Sequence, residues 1–340
     1  MALQLSAYVI TNPAFIEPEF LVQYSQASGF TDTLAGKALR VKIAEDDLFV
    51  YMKQINLRTR MLAGAASPNE LPTVDISTQM LNTPTYLFKA RAAFDHHDVA
   101  AANRWGFSAV EAYRLGLRQG HNQLARDAAL KGMNPQNGEG LINAQGATAV
   151  ILPPDPNGNT TATSYDNGAM AFFLMQQIQQ LKTRTLQMGI GREFTILGPQ
   201  RTLGLFEYNV VQLTQFQREG AGTASTAQTL EQVLMKNKDK LTWAYDDTLI
   251  GAGSGGTDMV ILIMPELAKP EGRGPTNTNV FADLTPGSPV NFTQYADMAA
   301  PREIMSPMAG GATDFLTEWR VTSGWPVRPT AITLISIPYP

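Results

Sequence analysis

The longest regular hydrophobic pattern in the chain lies between Ser108 and Lys131. Apolar or small side chains recur there every three or four residues, which predicts a helix with one apolar face. They are Val110, Tyr113, Leu117, Leu124 and Ala128. Ser108 and Glu111 have the spacing of a capping box, and Lys131 followed by Gly132 is typical of a helix end. A helix of this span is about 35 Å long, so the pattern indicates a structural spine.

A period-two pattern marks the segment before this helix. Tyr86, Phe88, Ala90, Ala92 and Phe94 fall on one face, and Thr85, Leu87, Lys89 and Arg91 on the other. This alternation predicts a half-buried strand from Thr85 to Phe94. A run at 57–62 and a breaker cluster from Gly64 to Pro72 precede it. We predict a long β-hairpin over 56–94, which is marginal alone and is expected to reach over a neighbouring subunit.

Shorter patterns organise the rest of the chain. Residues 1–55 mix apolar patches with proline and glycine without periodicity, which predicts an extended arm that needs other surfaces. From about 165 to 310, predicted helices interleave with strands, which indicates a mixed α/β domain. The predicted helices are 166–188 and one from Ser225; the predicted strands are 148–152, 194–197, 206–213, 242–245 and 259–264, with proline-broken strands at 317–321 and 331–337.

The composition is low in charge for a folded protein. Charged residues make up 16% of the 340 residues, whereas about 25% is usual. Interface cores are depleted in charge, so extensive self-association is the favoured interpretation. The alternative is a monomer with a neutral polar surface.

Net charge, cysteine content and hydropathy exclude several classes of protein and of site. The net charge of −4 argues against a sequence reader of nucleic acid, although it allows a wall that encloses nucleic acid. With no cysteine, disulfide frameworks and thiolate metal sites are excluded. The sequence shows no signal peptide and no apolar run near the ~20 residues of a membrane span.

Gly251-Ala252-Gly253-Ser254-Gly255-Gly256 fits the letters of a dinucleotide fingerprint. That fingerprint needs a strand before it and a helix N-terminus after it. Here the β-rich run from Met259 to Met264 follows instead. We therefore predict a flexible hairpin loop in preference to nucleotide binding.

Asp95-His96-His97-Asp98 contains four potential metal ligands. Neighbouring side chains on a regular element point apart, so convergence on one ion requires a special turn. Capping of a helix through 99–105 by Asp98 is the favoured account. The third histidine, His121, lies beside the apolar stripe and is expected to be packed or at an interface.

No constellation in the sequence resembles an active site. The acidic run Glu45-Asp46-Asp47 is interpreted as a solvated turn or a set of salt-bridge partners. The segment from Arg104 to Lys131 carries an excess of three positive charges, which inter-subunit ion pairs explain better than contact with nucleic acid. We expect no catalytic residues, no cofactor and no metal, and we do not expect an enzyme.

Two short motifs carry a resemblance to a known family. After the spine, Gly138-Glu139-Gly140-Leu141-Ile142-Asn143 matches a G-x-G-L-x-N turn at Gly138, Gly140, Leu141 and Asn143. Near the C-terminus, Gly324, Trp325, Val327, Pro329 and Ala331 match a G-W-x-V-x-x-P-x-A strand. With the order arm, hairpin, spine and mixed domain, the chain resembles major capsid proteins of tailed bacteriophages of the Hong Kong 97 type.

The resemblance implies an α+β fold with four parts. They are an N-terminal arm at 1–55, an E-loop hairpin at 56–94, a peripheral (P) domain at 95–164 and 311–340 with spine helix 108–131, and an axial (A) domain at 165–310. It implies a structural protein that self-assembles into pentamers and hexamers of an icosahedral shell around double-stranded DNA. Hinges are expected near Gly132 to Gly140 and at the hairpin base.

The resemblance also implies partners. We expect a virion protein, assembled in the host bacterial cytoplasm, that meets a separate scaffolding protein, a portal and a decoration protein. The separate scaffold is expected because the chain shows only a short arm and no long charged leader. Some family members cross-link an E-loop lysine, but no lysine lies between Lys53 and Lys89, which predicts a non-covalent shell.

Three alternatives stay open at this point. An encapsulin-like nanocompartment shares the fold but encloses an enzyme, and the proline-broken arm favours the phage interpretation. A nucleotide-dependent enzyme built on Gly251 to Gly256 belongs to a different class. A non-icosahedral lattice or tail protein is the third.

Overall fold

The computed structural model describes residues 39–41, 43–58, 75–104, 106, 108–185, 193–207, 210–212, 227–229, 240–265, 291–308 and 310–340. Its helices are α1 (His96–Arg104), α2 (Ala109–Leu130), α3 (Asn167–Arg184) and α4 (Gln200–Glu207). Its strands are β1 (Leu39–Val41), β2 (Phe49–Arg58), β3 (Asp75–Phe94), β4 (Thr148–Ile151), β5 (Glu193–Gly198), β6 (Val210–Gln212), β7 (Ala227–Thr229), β8 (Lys240–Tyr245), β9 (Asp258–Ile263), β10 (Phe292–Ala296), β11 (Arg302–Pro307), β12 (Thr313–Thr322), β13 (Trp325–Pro326) and β14 (Ile332–Ile337).

The chain divides into two compact units. The first contains Val41–Leu117 and Tyr295–Ser323, and the second contains Arg118–Gln294 and Gly324–Pro340. In the described residues the chain passes from one unit to the other within β1, α2 and β10, and again between Ser323 and Gly324. None of the described helices combines the length and apolar character needed to cross a membrane.

Strand β3 organises the first unit. Its first half pairs antiparallel with β2, from Phe49 opposite Pro84 to Arg58 opposite Asp75. Its second half, 85–94, pairs antiparallel with β12, and β11 continues the sheet on the other side of β12. The predicted alternation is confirmed, because Phe88 and Phe94 are buried while Leu87, Lys89 and Arg91 are exposed.

The hairpin arms differ from the prediction in their position. The outgoing strand begins at Phe49, within the stretch interpreted as arm, and the return strand at 85–94 pairs with β12 instead of with the outgoing strand. The run 49–55 alternates too irregularly to suggest a strand, and the pairing with β12 joins positions more than 200 residues apart, which local patterns do not contain. Residues 59–74, including the predicted breaker cluster, lie outside the described residues.

The start of α2 is anchored in the first unit. Ser108 Oγ accepts a hydrogen bond from the Glu111 amide at 3.4 Å, so Ser108 caps as predicted. The Glu111 carboxylate, however, pairs with Arg114 instead of returning to the cap. Arg114 also bonds Glu303 at 2.8 Å, and Tyr113 stacks on Phe94 with ring centroids 5.5 Å apart.

A five-stranded mixed sheet forms the core of the second unit, in the order β4-β14-β9-β5-β8. Its central strands are buried on both faces, which explains their continuous apolar sequence. One face packs on α3 through residues such as Leu174, Ile178 and Leu262. The other face packs on the end of α2 and the turn after it through residues such as Leu130, Leu141 and Ile261.

Several predicted elements of this unit are confirmed and three are wrong. The strands at 148–152, 194–197, 242–245, 259–264 and 331–337 are present. The strand predicted at 206–213 is present only as β6 at Val210–Gln212; Phe206 lies in α4, because the buried residues Leu203 and Phe206 follow a helical spacing. Residues 227–229 form β7, which pairs with β6 instead of opening a helix. Helix α3 ends at Arg184, before its predicted end; positions 186–188 and 230–239 lie outside the described residues.

Candidate functional site

The two motifs behind the resemblance meet in the second unit. The Gly140 amide donates a hydrogen bond to the Gly324 carbonyl at 3.0 Å, and the Gly324 amide donates to the Ala128 carbonyl at 3.1 Å. These two bonds join the end of α2, the turn after it and the start of β13. We call residues 131–143 together with Gly324 the helix exit.

Glycine is required in the helix exit because three backbone segments approach closely. A Cβ on Gly324 would lie 2.5 Å from Phe292 Cζ and far inside van der Waals contact distance of the Ala129 carbonyl oxygen. Gly140 has φ +87°, and a Cβ there would lie 2.5 Å from the Lys131 carbonyl carbon. No rearrangement of side chains relieves a clash with backbone atoms. Glycine therefore serves close packing at these positions.

Asn143 completes the helix exit by capping free carbonyl groups. Its Nδ2 donates to the Lys131 carbonyl at 2.6 Å and to the Glu139 carbonyl at 3.2 Å. Glu139 is buried, and its Oε2 accepts the Asn134 amide at 3.2 Å. The carbonyls at a helix C-terminus lack intrahelical partners, so these bonds satisfy groups that would otherwise be costly to bury.

The predicted helix stop is confirmed, and the helix exit is closely packed within the subunit. Gly132 adopts φ +72° and its amide bonds the Ala128 carbonyl. Leu141 is fully buried against the sheet. This backbone is bonded and packed on several sides, and the hinge expected from the sequence stays a prediction.

Asp95, His96 and His97 converge, contrary to the sequence argument. One ligand atom from each lies within 4.8 Å of the others. The cap of α1 is Asp95, whose carbonyl accepts the Asp98 and Val99 amides. Asp98 is not the cap as predicted; its Oδ2 returns to the Asp95 amide at 3.1 Å. The tight turn between β3 and α1 brings the three side chains together.

The Gly251 to Gly256 segment is not a hairpin loop, and strand β9 follows it where a dinucleotide fingerprint needs a helix. It links β8 and β9, which lie on opposite sides of β5 instead of pairing with each other. The Gly251 amide donates to Asp258 Oδ1 at 3.3 Å, and the Ser254 amide donates to Ser336 Oγ at 3.1 Å. The loop therefore passes from one neighbour of β5 to the other, and the glycine content of the sequence does not reveal this connection.

Asp258 anchors this loop with a buried carboxylate. Arg201 bonds both of its oxygens, at 2.8 and 2.5 Å, and Thr202 Oγ1 donates at 2.6 Å. Burial alone would raise the pKa of Asp258, but the hydrogen bonds from Arg201 and Thr202 outweigh it and lower the pKa below its usual value. Sequence analysis did not identify this pair, because its members are 57 residues apart.

The remaining candidate residues have structural roles. His121 is 2% exposed, and burial lowers its pKa, so the prediction of a packed histidine is confirmed. Glu45 pairs with Arg302 at 2.7 Å, and Asp47 Oδ2 accepts the Ala44 amide at 2.8 Å, as expected of a turn with salt-bridge partners. In the spine, Arg114 and Arg126 face Glu303 and Asp246 of the same chain, so two of the spine cations are matched without a second subunit.

Exposed apolar side chains mark candidate assembly surfaces. On the hairpin of the first unit, Phe49, Tyr51 and Met80 are 47%, 60% and 63% exposed. The strand register places them on one face, because Phe49 lies opposite Pro84 and Tyr51 opposite Asn82. We call these three residues the hairpin face. In the second unit, Phe172 projects from α3 away from the sheet and is 67% exposed.

Comparison with solved structures identifies the fold. The capsid of Myoviridae Phage XM1 has a TM-score of 0.66 at 10% identity, with 95% of this chain and 96% of that chain covered. The chain has the capsid fold of tailed phages. The capsid of the cyanophage P-SCSP1u gives a TM-score of 0.57 at 9% identity, covering 96% and 93%. The capsid of a native GTA particle gives 0.53 at 13% identity, covering 99% of each chain.

Comparison with known sequences and family models does not identify the capsid fold. No family model matches the chain, and no curated protein matches it. The helix exit gives a physical reason why two short motifs were nevertheless informative. Its glycines, its buried leucine and its capping asparagine are required by the packing and hydrogen bonds of this turn.

Proposed function

We propose that this chain is the major capsid protein of a tailed phage. It assembles into pentamers and hexamers of an icosahedral shell that encloses double-stranded DNA. The single observation that carries the proposal is the match of its fold to phage capsid chains over nearly the full length of both partners. The protein belongs to the virion, and assembly takes place in the cytoplasm of the bacterial host.

In this proposal each part of the chain has a place in the shell. Residues 1–55 form the N-terminal arm and 56–94 the E-loop. Residues 95–164 and 311–340 form the P domain, and 165–310 the A domain around the capsomer axis. The hairpin base observed at Phe49 suggests that the E-loop begins a few residues earlier than the sequence indicates.

The hairpin face supplies part of the assembly energy. Phe49, Tyr51 and Met80 are exposed on two paired strands, which by themselves cannot bury them. Burial of apolar surface contributes roughly 25 cal/mol per Å², so a neighbouring subunit that covers these side chains gains stability. The low charged fraction of the chain is consistent with such contacts over much of its surface.

The shell in this proposal is held by non-covalent contacts and is completed by other proteins. No lysine lies between Lys53 and Lys89 to offer an amine for cross-linking. A scaffolding protein directs assembly, a portal occupies one vertex, and a decoration protein binds the outside. A boiled denaturing gel of mature particles should show monomeric chain only; a ladder would contradict the non-covalent shell.

The enclosed material tests the proposal against the encapsulin alternative, which the similarity to phage and GTA capsids does not favour. Particles are purified from cells, treated with nuclease and protease, and opened. We expect nuclease-protected double-stranded DNA. A uniform protein cargo with no protected DNA would contradict the phage assignment while leaving the shell fold intact.

A further inference from the structure

The turn between β3 and α1 contains the only accessible histidines of the chain. The sequence has three histidines and no cysteine. His121 is buried, while His96 and His97 are exposed at the first two positions of α1. The two accessible imidazoles of the chain therefore lie at one place, directly after Asp95, and imidazole is a favoured ligand of transition metals.

The geometry of this turn is close to that of a three-ligand metal site. One oxygen of Asp95 and one nitrogen each of His96 and His97 lie within 4.8 Å of one another. His96 Nδ1 is 2.5 Å from Asp95 Oδ1, and the two imidazole rings are 3.9 Å apart at an angle of 40°. Ligands at 2.0–2.2 Å from a tetrahedral ion are separated by roughly 3.4 Å. Exposed imidazoles reach that spacing by small rotations of their side chains.

Helix capping does not explain why two imidazoles lie at this turn. The Asp95 carbonyl accepts the Asp98 and Val99 amides, Asp95 Oδ1 accepts the His96 amide, and Asp98 Oδ2 accepts the Asp95 amide, so none of these bonds uses an imidazole nitrogen. The turn is held on the other side by β3, whose last residue Phe94 pairs with Thr313. At Gly311 an added Cβ would lie 3.3 Å from His96 Nδ1, so the backbone after β11 passes close to the imidazole. The three side chains thus project from a fixed backbone.

We propose that Asp95, His96 and His97 bind a divalent transition metal ion, zinc being the ion that fits best. One carboxylate oxygen and two imidazole nitrogens are a ligand set that zinc accepts. The three ligands leave at least one coordination position to water. The site is independent of the proposed shell function, because all three ligands come from one turn of one chain.

Zinc titration of the untagged full-length chain, dispersed to single subunits, tests the proposal. Isothermal titration calorimetry should give one Zn²⁺ per chain, and Co²⁺ should produce the visible absorption of a low-symmetry site. His97→Ala and Asp95→Asn should each lower the affinity at least tenfold, since even partners outside the ligand shell contribute 10–100-fold. Asn retains the capping capacity of Asp, so Asp95→Asn is expected to fold.

Asp98→Asn is the matched control. It keeps an oxygen to accept the Asp95 amide and removes a carboxylate that is not among the three ligands. Its zinc affinity should equal that of the wild type, and circular dichroism should show the same helix content in all variants. Absence of zinc binding in the wild type, or unchanged binding in His97→Ala, would overturn the proposal.

Discussion

The helix exit and the hairpin face differ in how far their side chains are buried and bonded within the subunit. In the helix exit, Gly140, Gly324 and Asn143 bond to backbone of the same chain, and Leu141 is fully buried. On the hairpin face, Tyr51 and Met80 are more than half exposed. The first region is complete within one subunit, whereas the second gains its full stability only when another surface covers it. A change in the helix exit should therefore affect folding, and a change on the hairpin face should affect assembly.

The largest effect is expected from Gly324→Ala. The added Cβ collides with the Ala129 carbonyl and the Phe292 ring, so the backbone must shift. We expect a loss of about 3 kcal/mol or more in the free energy of unfolding, measured by chemical denaturation of the dispersed chain. Gly120→Ala in α2 is the control: nothing lies within 4 Å of its Cβ, and it should stabilise by about 0.5–1 kcal/mol. If Gly324→Ala and Gly120→Ala changed the free energy of unfolding equally, the claim that Gly324 is required by close packing would be wrong.

Asp258→Asn tests a second contact that is complete within the subunit. Loss of the charged bonds to Arg201 and Thr202 should lower Tm by roughly 5 °C at neutral pH. The pKa of Asp258 is lowered by folding, so its stabilisation is fully present above the unfolded-state pKa of about 4. It is lost as pH falls through the lower folded-state pKa.

The pH dependence separates this buried contact from exposed ones. Wild-type Tm should fall more steeply than that of Asp258→Asn below about pH 4, so that the two converge in acid. Asp314→Asn, which removes the partner of the exposed Arg91, should leave Tm unchanged at neutral pH. Parallel wild-type and Asp258→Asn curves throughout the acid range would refute the role given to Asp258.

A smaller effect is expected from Asn143→Ala, which removes the two bonds to the Lys131 and Glu139 carbonyls. The free energy of unfolding should fall by about 1–2 kcal/mol. Asn122→Ala, on an exposed position of α2, should change it by less than about 0.5 kcal/mol. If Asn143→Ala and Asn122→Ala had the same denaturation midpoint, the helix exit would not depend on the Asn143 cap.

On the hairpin face we expect a substitution to affect assembly and not the stability of the single subunit. Tyr51→Ser should leave Tm of the dispersed chain unchanged, because the side chain is 60% exposed. The concentration needed for assembly, followed by light scattering, should rise about tenfold for each 1.4 kcal/mol of apolar burial that the substitution removes from the interface. Tyr51→Phe keeps the ring and should assemble like the wild type. A drop in Tm comparable to that of Gly324→Ala would show that Tyr51 packs within its own subunit.

The same contrast explains which features could be predicted from the sequence. The spine helix, its Ser108 cap, its Gly132 stop and the central strands β5, β9 and β14 follow from local periodicity, and all are present. The pairing of β3 with β12, the crossing of β5 by the Gly251 loop and the Arg201–Asp258 pair join distant positions. Local patterns carry no information about them.

The candidate sites show a similar limit. The convergence of Asp95, His96 and His97 depends on one tight turn, which the regular-element argument could not anticipate. The glycines of the helix exit were correctly located, but their role in close packing was not predicted. Gly140 and Gly324 are 184 residues apart, and only their hydrogen bond shows that the glycines serve close approach.

The central claim is that this chain is the subunit of a closed shell, and electron microscopy of the purified full-length protein tests it most directly. Negative-stain images over a range of concentration and ionic strength should show closed shells or pentameric and hexameric capsomers, and Tyr51→Ser should shift the population toward single subunits. A monomer that stays dispersed under every condition, for the wild type and for Tyr51→Ser alike, would contradict the account.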